Sequence, residues 1–337
     1  MRLLNKLSPR VAGMAAAVVT VVIWTSFIVI ARATADPSRH GVLTPFDIAL
    51  ARLLGAGAVL LPVGWWLVRR DRAQKTGASS LFGFSPLSLR VTCTAGLFGG
   101  LIYAVLAYSG FVYAPAGHAS VLLPGTLPLW TALLALLVLG TRITAARALG
   151  LFLILAGGAV VGGGSLVRAF GGGEVWKGDL LFLAAALSWS IYSVLARRYA
   201  LEAVRATAAI TVLAFFVYVP TYVGLLATGL VRGQFLLAPW RDVVFQMLFQ
   251  GVGSVVISGI SFTRMIQYYG PVRSTMITAV VPGLSALAAV VFLGEPMGWS
   301  LLIGLLLVTA GIVFGVRAVV PPVVVAKANS VQPARTG

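Results

Sequence analysis

The chain is poor in acid, histidine and cysteine. Of 337 residues, 8 are Asp or Glu against 25 Lys or Arg, two are His, and Cys93 is the one cysteine. A lone cysteine excludes an intramolecular disulfide framework. The few Cys, His, Asp and Glu residues show no spacing that resembles a metal site, so neither a metal nor a cofactor is expected. No stretch reads Gly-x4-Gly-Lys-Ser/Thr, which excludes ATP drive by this chain alone. The acidic residues are scattered, with no Asp-x-x-x-Asp or His-x4-Asp pair. That absence weighs against the competing class, a polytopic membrane enzyme acting on a lipid-linked substrate, which needs clustered carboxylates or an activated nucleophile.

What is abundant is apolar side chain: 59% of residues are hydrophobic, 10% are charged, and the mean hydropathy is +1.00. A soluble core of this size needs far less. Ten apolar stretches of roughly twenty residues, the length that crosses about 30 Å of hydrocarbon, run at 11–31, 44–68, 89–109, 112–139, 147–167, 179–199, 206–230, 242–262, 269–293 and 299–319. The expected fold is an all-α polytopic membrane protein of ten transmembrane helices. The net charge of +17 raises nucleic acid as a partner, but basic membrane proteins use Lys and Arg as topology signals. With the N-terminus inside, 18 of the cations fall in cytoplasmic segments and six outside, with Arg52 left within the second span. This bias predicts a multi-pass protein of the cytoplasmic membrane with both termini inside and no nucleic-acid partner.

The chain also repeats itself. Gly140, Gly150 and Gly157 recur 154 residues later as Gly294, Gly304 and Gly311, and Pro128 recurs as Pro282 on the same offset. Trp24-Thr25-Ser26-Phe27 through Arg32 is echoed by Trp189-Ser190-Ile191-Tyr192 through Arg197. Two halves of five spans each enter the membrane from opposite sides, so the repeats are inverted. Inverted halves suit a carrier, which rocks about a site between them. The first repeat is assigned to residues 1–168, the second to 178–320, and a disordered cytoplasmic tail to 321–337. Arg2, Lys6 and Arg10 ahead of the first run imitate a secretory signal, but that run is too long for a signal core and is matched in the second half, so it is read as a span.

These residues resemble the drug/metabolite transporter superfamily in its ten-helix EamA-type branch, over almost the whole chain. The resemblance rests on Trp24 to Phe27, Pro45 with Ala51-Arg52, Ala116 to Pro128, Gly178-Asp179 with Trp189 and Tyr192, Pro282, and Leu293-Gly294-Glu295-Pro296. It departs at Thr141, where the family usually has Glu, so a role for that carboxylate carries over only to Glu295. The resemblance implies that helices 1–4 and 6–9 surround a central cavity, with helices 5 and 10 outside them. It also implies export.

The fourth span, with Pro115, Pro124 and Pro128 among Gly117 and Gly125, is expected to kink, since proline removes a donor and clashes one turn back. Pro271 and Pro282 do the same in the ninth, which makes these five the candidate hinges. Candidate substrate-binding residues are Trp24, Ser26, Arg52, Tyr103, His118, Ser120, Trp189, Tyr192, Gln250 and Ser274, an aromatic and hydroxyl-rich lining for small neutral, zwitterionic or amphipathic molecules. Three readings of Arg52 stay open: a contact to a substrate carboxylate, a bond to carbonyls of a kinked neighbour, and snorkelling. His118 is placed near the outer end of its span. Drive by a gradient, with or without protons through His118 or Glu295, is expected. The glycine faces at Gly150/Gly157 and Gly304/Gly311 are read as helix packing and leave a homodimer contact open. Substrate and membrane lipid are the expected partners.

Overall fold

The computed structural model describes residues 9–35 and 42–317. The tail at 321–337 lies outside the described residues. Among the described residues ten helices follow one another: α1 Pro9–Ala35, α2 Pro45–Ala73, α3 Leu89–Tyr113, α4 Ala116–Leu139, α5 Ala145–Ala169, α6 Val175–Arg198, α7 Ala203–Ala227, α8 Trp240–Tyr269, α9 Pro271–Leu293 and α10 Trp299–Arg317. Nine are long and apolar enough to cross a membrane, and the tenth, Trp299–Phe314, is a shorter apolar helix. In lipid the backbone must satisfy itself within each segment, so helices carry the fold.

The packing obeys an exchange of each helix with the one five places on. The contact of α1 with α9 is matched by α6 with α4, that of α2 with α8 by α7 with α3, and that of α1 with α8 by α6 with α3. Three of the five pairs that map onto themselves, α2 with α7, α4 with α9 and α5 with α10, pack together. Local irregularities follow the same exchange. A π-helical stretch, Leu97–Ile102, lies in α3, and another, Met247–Ile257, lies in its mate α8. The second helix of each half carries an internal proline, Pro62 in α2 and Pro220 in α7.

The repeated glycines have two separate uses. Gly140 ends α4 and Gly294 ends α9, with φ of 66° and 62°. In each case the next amide reaches back to a carbonyl six residues earlier, Thr141 to Ala135 and Glu295 to Ala289, both at 3.3 Å. A left-handed C-cap of this kind suits glycine alone among common residues. The others pack α5 on α10. A Cβ on Gly157 would stand 2.7 Å from the Gly304 carbonyl oxygen, and one on Gly311 would stand 2.5 Å from that of Gly150. These faces are consumed within the chain, so they are not the free dimer surface that the sequence left open.

The prolines divide likewise. Pro115 is the N-cap of α4 and Pro271 the first residue of α9, so neither bends a helix from inside. The breaks fall one to two turns further on, at 123–126 in α4 and at Thr278–Val280 in α9, just ahead of Pro128 and Pro282. Each later proline restarts a helix at a position where its missing donor costs least. Pro124 lies within the first break.

Candidate functional site

The two echoed tryptophans meet where the halves meet. Trp24 of α1 and Trp189 of α6 stand edge to face, with ring centroids 5.9 Å apart. Tyr103 of α3 packs on Trp189 at 4.9 Å and Tyr192 of α6 packs on Trp189 at 5.2 Å, while Phe262 of α8 lies 4.9 Å from Trp24 and 5.6 Å from Trp189. Edge and tilted pairs of this kind are each worth about 0.5–1.5 kcal/mol beyond their buried area. These rings stand beside a small cavity of about 20 Å³. Trp24, Tyr103 and Trp189 line one side, and the break of α4 supplies Leu123 and Pro124, with Val281 added from the restart of α9. The Trp24 indole donates to Ser258 Oγ at 3.2 Å, while the buried Trp189 Nε1 has no acceptor among the described residues.

Beside this wall lies a buried polar cluster without a carboxylate. Arg52, 7% exposed, donates to Ser254 Oγ at 3.2 Å and to the Tyr108 hydroxyl at 3.4 Å, and its guanidinium lies 5.9 Å from the Phe27 ring centre. Tyr108 donates in turn to Gln250 Oε1 at 3.0 Å, and Gln250 Nε2 is left without an acceptor among the described residues. Burial rules out snorkelling, and the acceptors are hydroxyls rather than carbonyls of a kinked helix. Asp47 is no partner of Arg52. It caps α2 with Thr44 and accepts from the Tyr222 hydroxyl at 2.9 Å and the Gln234 amide at 2.8 Å.

Other candidates turn elsewhere. Ser26 donates to the Val22 carbonyl, Ser120 to Ala116 and Ser274 to Gly270, each one helical turn back. Ser120 and Ser274 are repeat mates that stitch the first turns of α4 and α9, which hydroxyls do when no better partner faces them. Tyr192 shares a bond of 2.7 Å with Thr263 Oγ1. His118 lies near the start of α4, as expected, but is not wet: it is largely buried, and its Nδ1 lies 2.8 Å from Asp179 Oδ1 of α6. Glu295 binds the start of α4, accepting from the amides of Ala116 at 3.2 Å and Gly117 at 3.1 Å and from Arg32 Nε at 3.3 Å. A carboxylate at a helix N-terminus meets both orphan donors and the positive end of the dipole.

Sequence reasoning missed Phe262, Ser258 and the residues that flank the helix breaks. Ser258 follows Ser254 by one turn and so shares its face. Phe262 carried no polar or repeat signal at all.

A model of the EamA-like transporter family matches this chain twice, over residues 11–163 and 176–317. The chain is 28% identical over 231 residues to the uncharacterized transporter YvbV of Bacillus subtilis (strain 168), spanning 67% of this chain and 72% of that one. A crystal structure of a protein 22% identical superposes with a TM-score of 0.56, over 91% of this chain and 97% of its own, which shows a shared fold. With both halves matched by the same model, the chain belongs to the EamA-like transporter family.

Proposed function

We propose that this chain is a secondary transporter that moves small metabolites, amino acids or amphipathic compounds out of the cell by alternating access. The observation that carries the reading is the position of the aromatic cavity. Its walls come from the matched tryptophans of the two halves, and its other side comes from the broken segments of α4 and α9. Broken helices in matching places of inverted halves mark the site about which the halves rock. Arg52 lies behind Phe27, one of the residues lining that cavity, and is the charged group nearest to it that we assign to substrate binding. A guanidinium held by hydroxyls alone keeps donors for a carboxylate, and a substrate acid would supply the counter-charge that the span lacks. The excess of cations at the α2–α3, α4–α5 and α6–α7 turns supports a cytoplasmic location for that face.

Counterflow into liposomes holding the purified protein tests this. Radiolabelled amino acids, nucleosides and cationic dyes are compared in the parent chain and in Trp24→Ala with Trp189→Ala. Saturable exchange that the double variant loses is the expected result. Exchange of equal rate in the folded double variant would move the site elsewhere.

A further inference from the structure

The latch at Glu295 has a place but no counterpart in the other half. Its mate is Thr141, which follows the same left-handed glycine with the same backbone bond. Arg32, which donates to Glu295, is echoed by Arg197 at the end of α6. Around Thr141 there is a cavity of about 210 Å³, lined by Arg147, Arg197 and Arg273 with Tyr268 and Tyr269. Among the described residues no carboxylate lines it. The Arg147 Nε is buried without an acceptor among the described residues, and the Arg273 guanidinium lies over the Tyr269 ring at 5.2 Å. Arg147 is partly buried and also donates to the Arg142 carbonyl at 3.3 Å, while Arg197 and Arg273 are exposed, so solvent screens their mutual repulsion; together they present planar forked donors that fit phosphate oxygens in pairs.

We propose that this cavity is an anion site that holds a phosphate group, which bridges Arg197 to Arg147 and Arg273 as Glu295 bridges Arg32 to the start of α4. The ligand joins the α4–α5 turn, the end of α6 and the start of α9. These are the three segments that the sequence assigns to the cytoplasmic face, where both anionic lipid headgroups and free phosphate are present. A site of this kind differs from arginines that serve as topology signals, because it saturates and because it depends on these three residues and not on their neighbours.

The experiment measures the melting temperature of the full chain in a neutral detergent against rising inorganic phosphate, phosphatidylglycerol or phosphatidylcholine, with potassium chloride at matched ionic strength. Phosphatidylcholine and chloride are the controls. The expected result is a saturable rise with phosphatidylglycerol or inorganic phosphate, and the half-saturating concentration increases at least tenfold in Arg197→Gln and in Arg147→Gln. A response to phosphatidylglycerol alone assigns the source to lipid, and a response to inorganic phosphate assigns it to the free ion. Arg90→Gln, an exposed arginine assigned to the same face, keeps the parent response. Thr141→Glu supplies the missing carboxylate, so its melting temperature without added anion rises and its response to anion is lost. No saturable response in the parent chain overturns the site. So does an equal loss in Arg90→Gln. Should the arginine variants fail to fold, an unchanged response in Thr141→Glu overturns it and a lost response upholds it.

Discussion

Glu295→Gln isolates the latch between α1, α4 and the α9–α10 turn. The parent carboxylate takes three donors, two backbone amides and Arg32 Nε, with its side chain 11% exposed and that of Arg32 19% exposed. Hydrogen bonds to a charged group are worth about 1.5–3 kcal/mol, and neutral ones about 0.5–1.5. Glutamine keeps one oxygen to accept from the Ala116 amide at the neutral value, puts an NH2 where Oε2 accepted from Gly117, and loses most of the attraction to Arg32. Partial exposure screens that attraction, so the net loss comes to about 2 kcal/mol, which is roughly a thirtyfold change in an opening equilibrium. The assay is maleimide labelling in detergent of a chain carrying Cys93→Ser and Ser120→Cys. Ser120 is fully buried one turn beyond the latch, so labelling reports local opening. The expected result is a rate about thirty times that with Glu295 in place. Ser274→Cys is the control, because this mate of Ser120 is equally buried but lies at the start of α9. A change of less than threefold at position 120, or an equal change at 274, refutes the assignment of Glu295 as a local latch.

Gly304→Val would bring a Cβ to 2.4 Å from Val161 Cγ2 and 2.9 Å from the Gly157 carbonyl oxygen. Backbone cannot yield there, so α10 must part from α5 at a cost of about 1–3 kcal/mol or more, read as a lower melting temperature and less monodisperse protein. Asp47→Ala removes the shared acceptor of Thr44, Tyr222 and the Gln234 amide. It leaves buried donors unmatched for a loss of about 3 kcal/mol, which thermal unfolding in detergent measures against Asp242→Ala, a partly exposed acid. Arg52→Gln is expected to keep the fold, since the amide can still reach the surrounding hydroxyls. It is expected to abolish counterflow of carboxylate-bearing substrates while sparing any cationic dye the parent chain exchanges. Equal loss of both classes would make Arg52 structural.

The span count, the duplication and its inversion were readable because each leaves a signal in one dimension. Length and hydropathy mark a helix in lipid, and an offset of 154 residues aligns the glycine caps. The echo of Trp24 in Trp189 was readable in the same way, but their contact was not. What escaped was whatever depends on how far one segment reaches in space. Pro115 and Pro128 look alike in sequence, yet one precedes α4 and the other restarts it after a break, because a proline says where a helix cannot continue and not which side of it folds. His118 and Asp179 stand 61 residues apart, and no periodicity within either helix signals their meeting. Arg52 was recognisable as expensive, but its hydroxyl partners come from α3 and α8, which only the packing brings to it.

Inverted repeats of equal sequence would give two faces of equal strength, so the bias between them lies in the residues that break the symmetry. Glu295 and Thr141 are such a pair, occupying one backbone geometry on opposite faces. On one face the carboxylate ties Arg32 to the start of α4. On the other, Arg197 lines a cavity beside the start of α9 that among the described residues has no carboxylate in its lining. Exchanging the two residues, Glu295→Thr with Thr141→Glu, moves the latch without changing composition or net charge. The expected outcome is that labelling at Ser120→Cys accelerates while labelling at Ser274→Cys slows, each by about tenfold or more, because one start is released and the other is tied. If both positions accelerate, the exchange has only loosened the fold. If neither changes, the strength of each face resides in helix packing, and the charge asymmetry between Glu295 and Thr141 has no part in setting it.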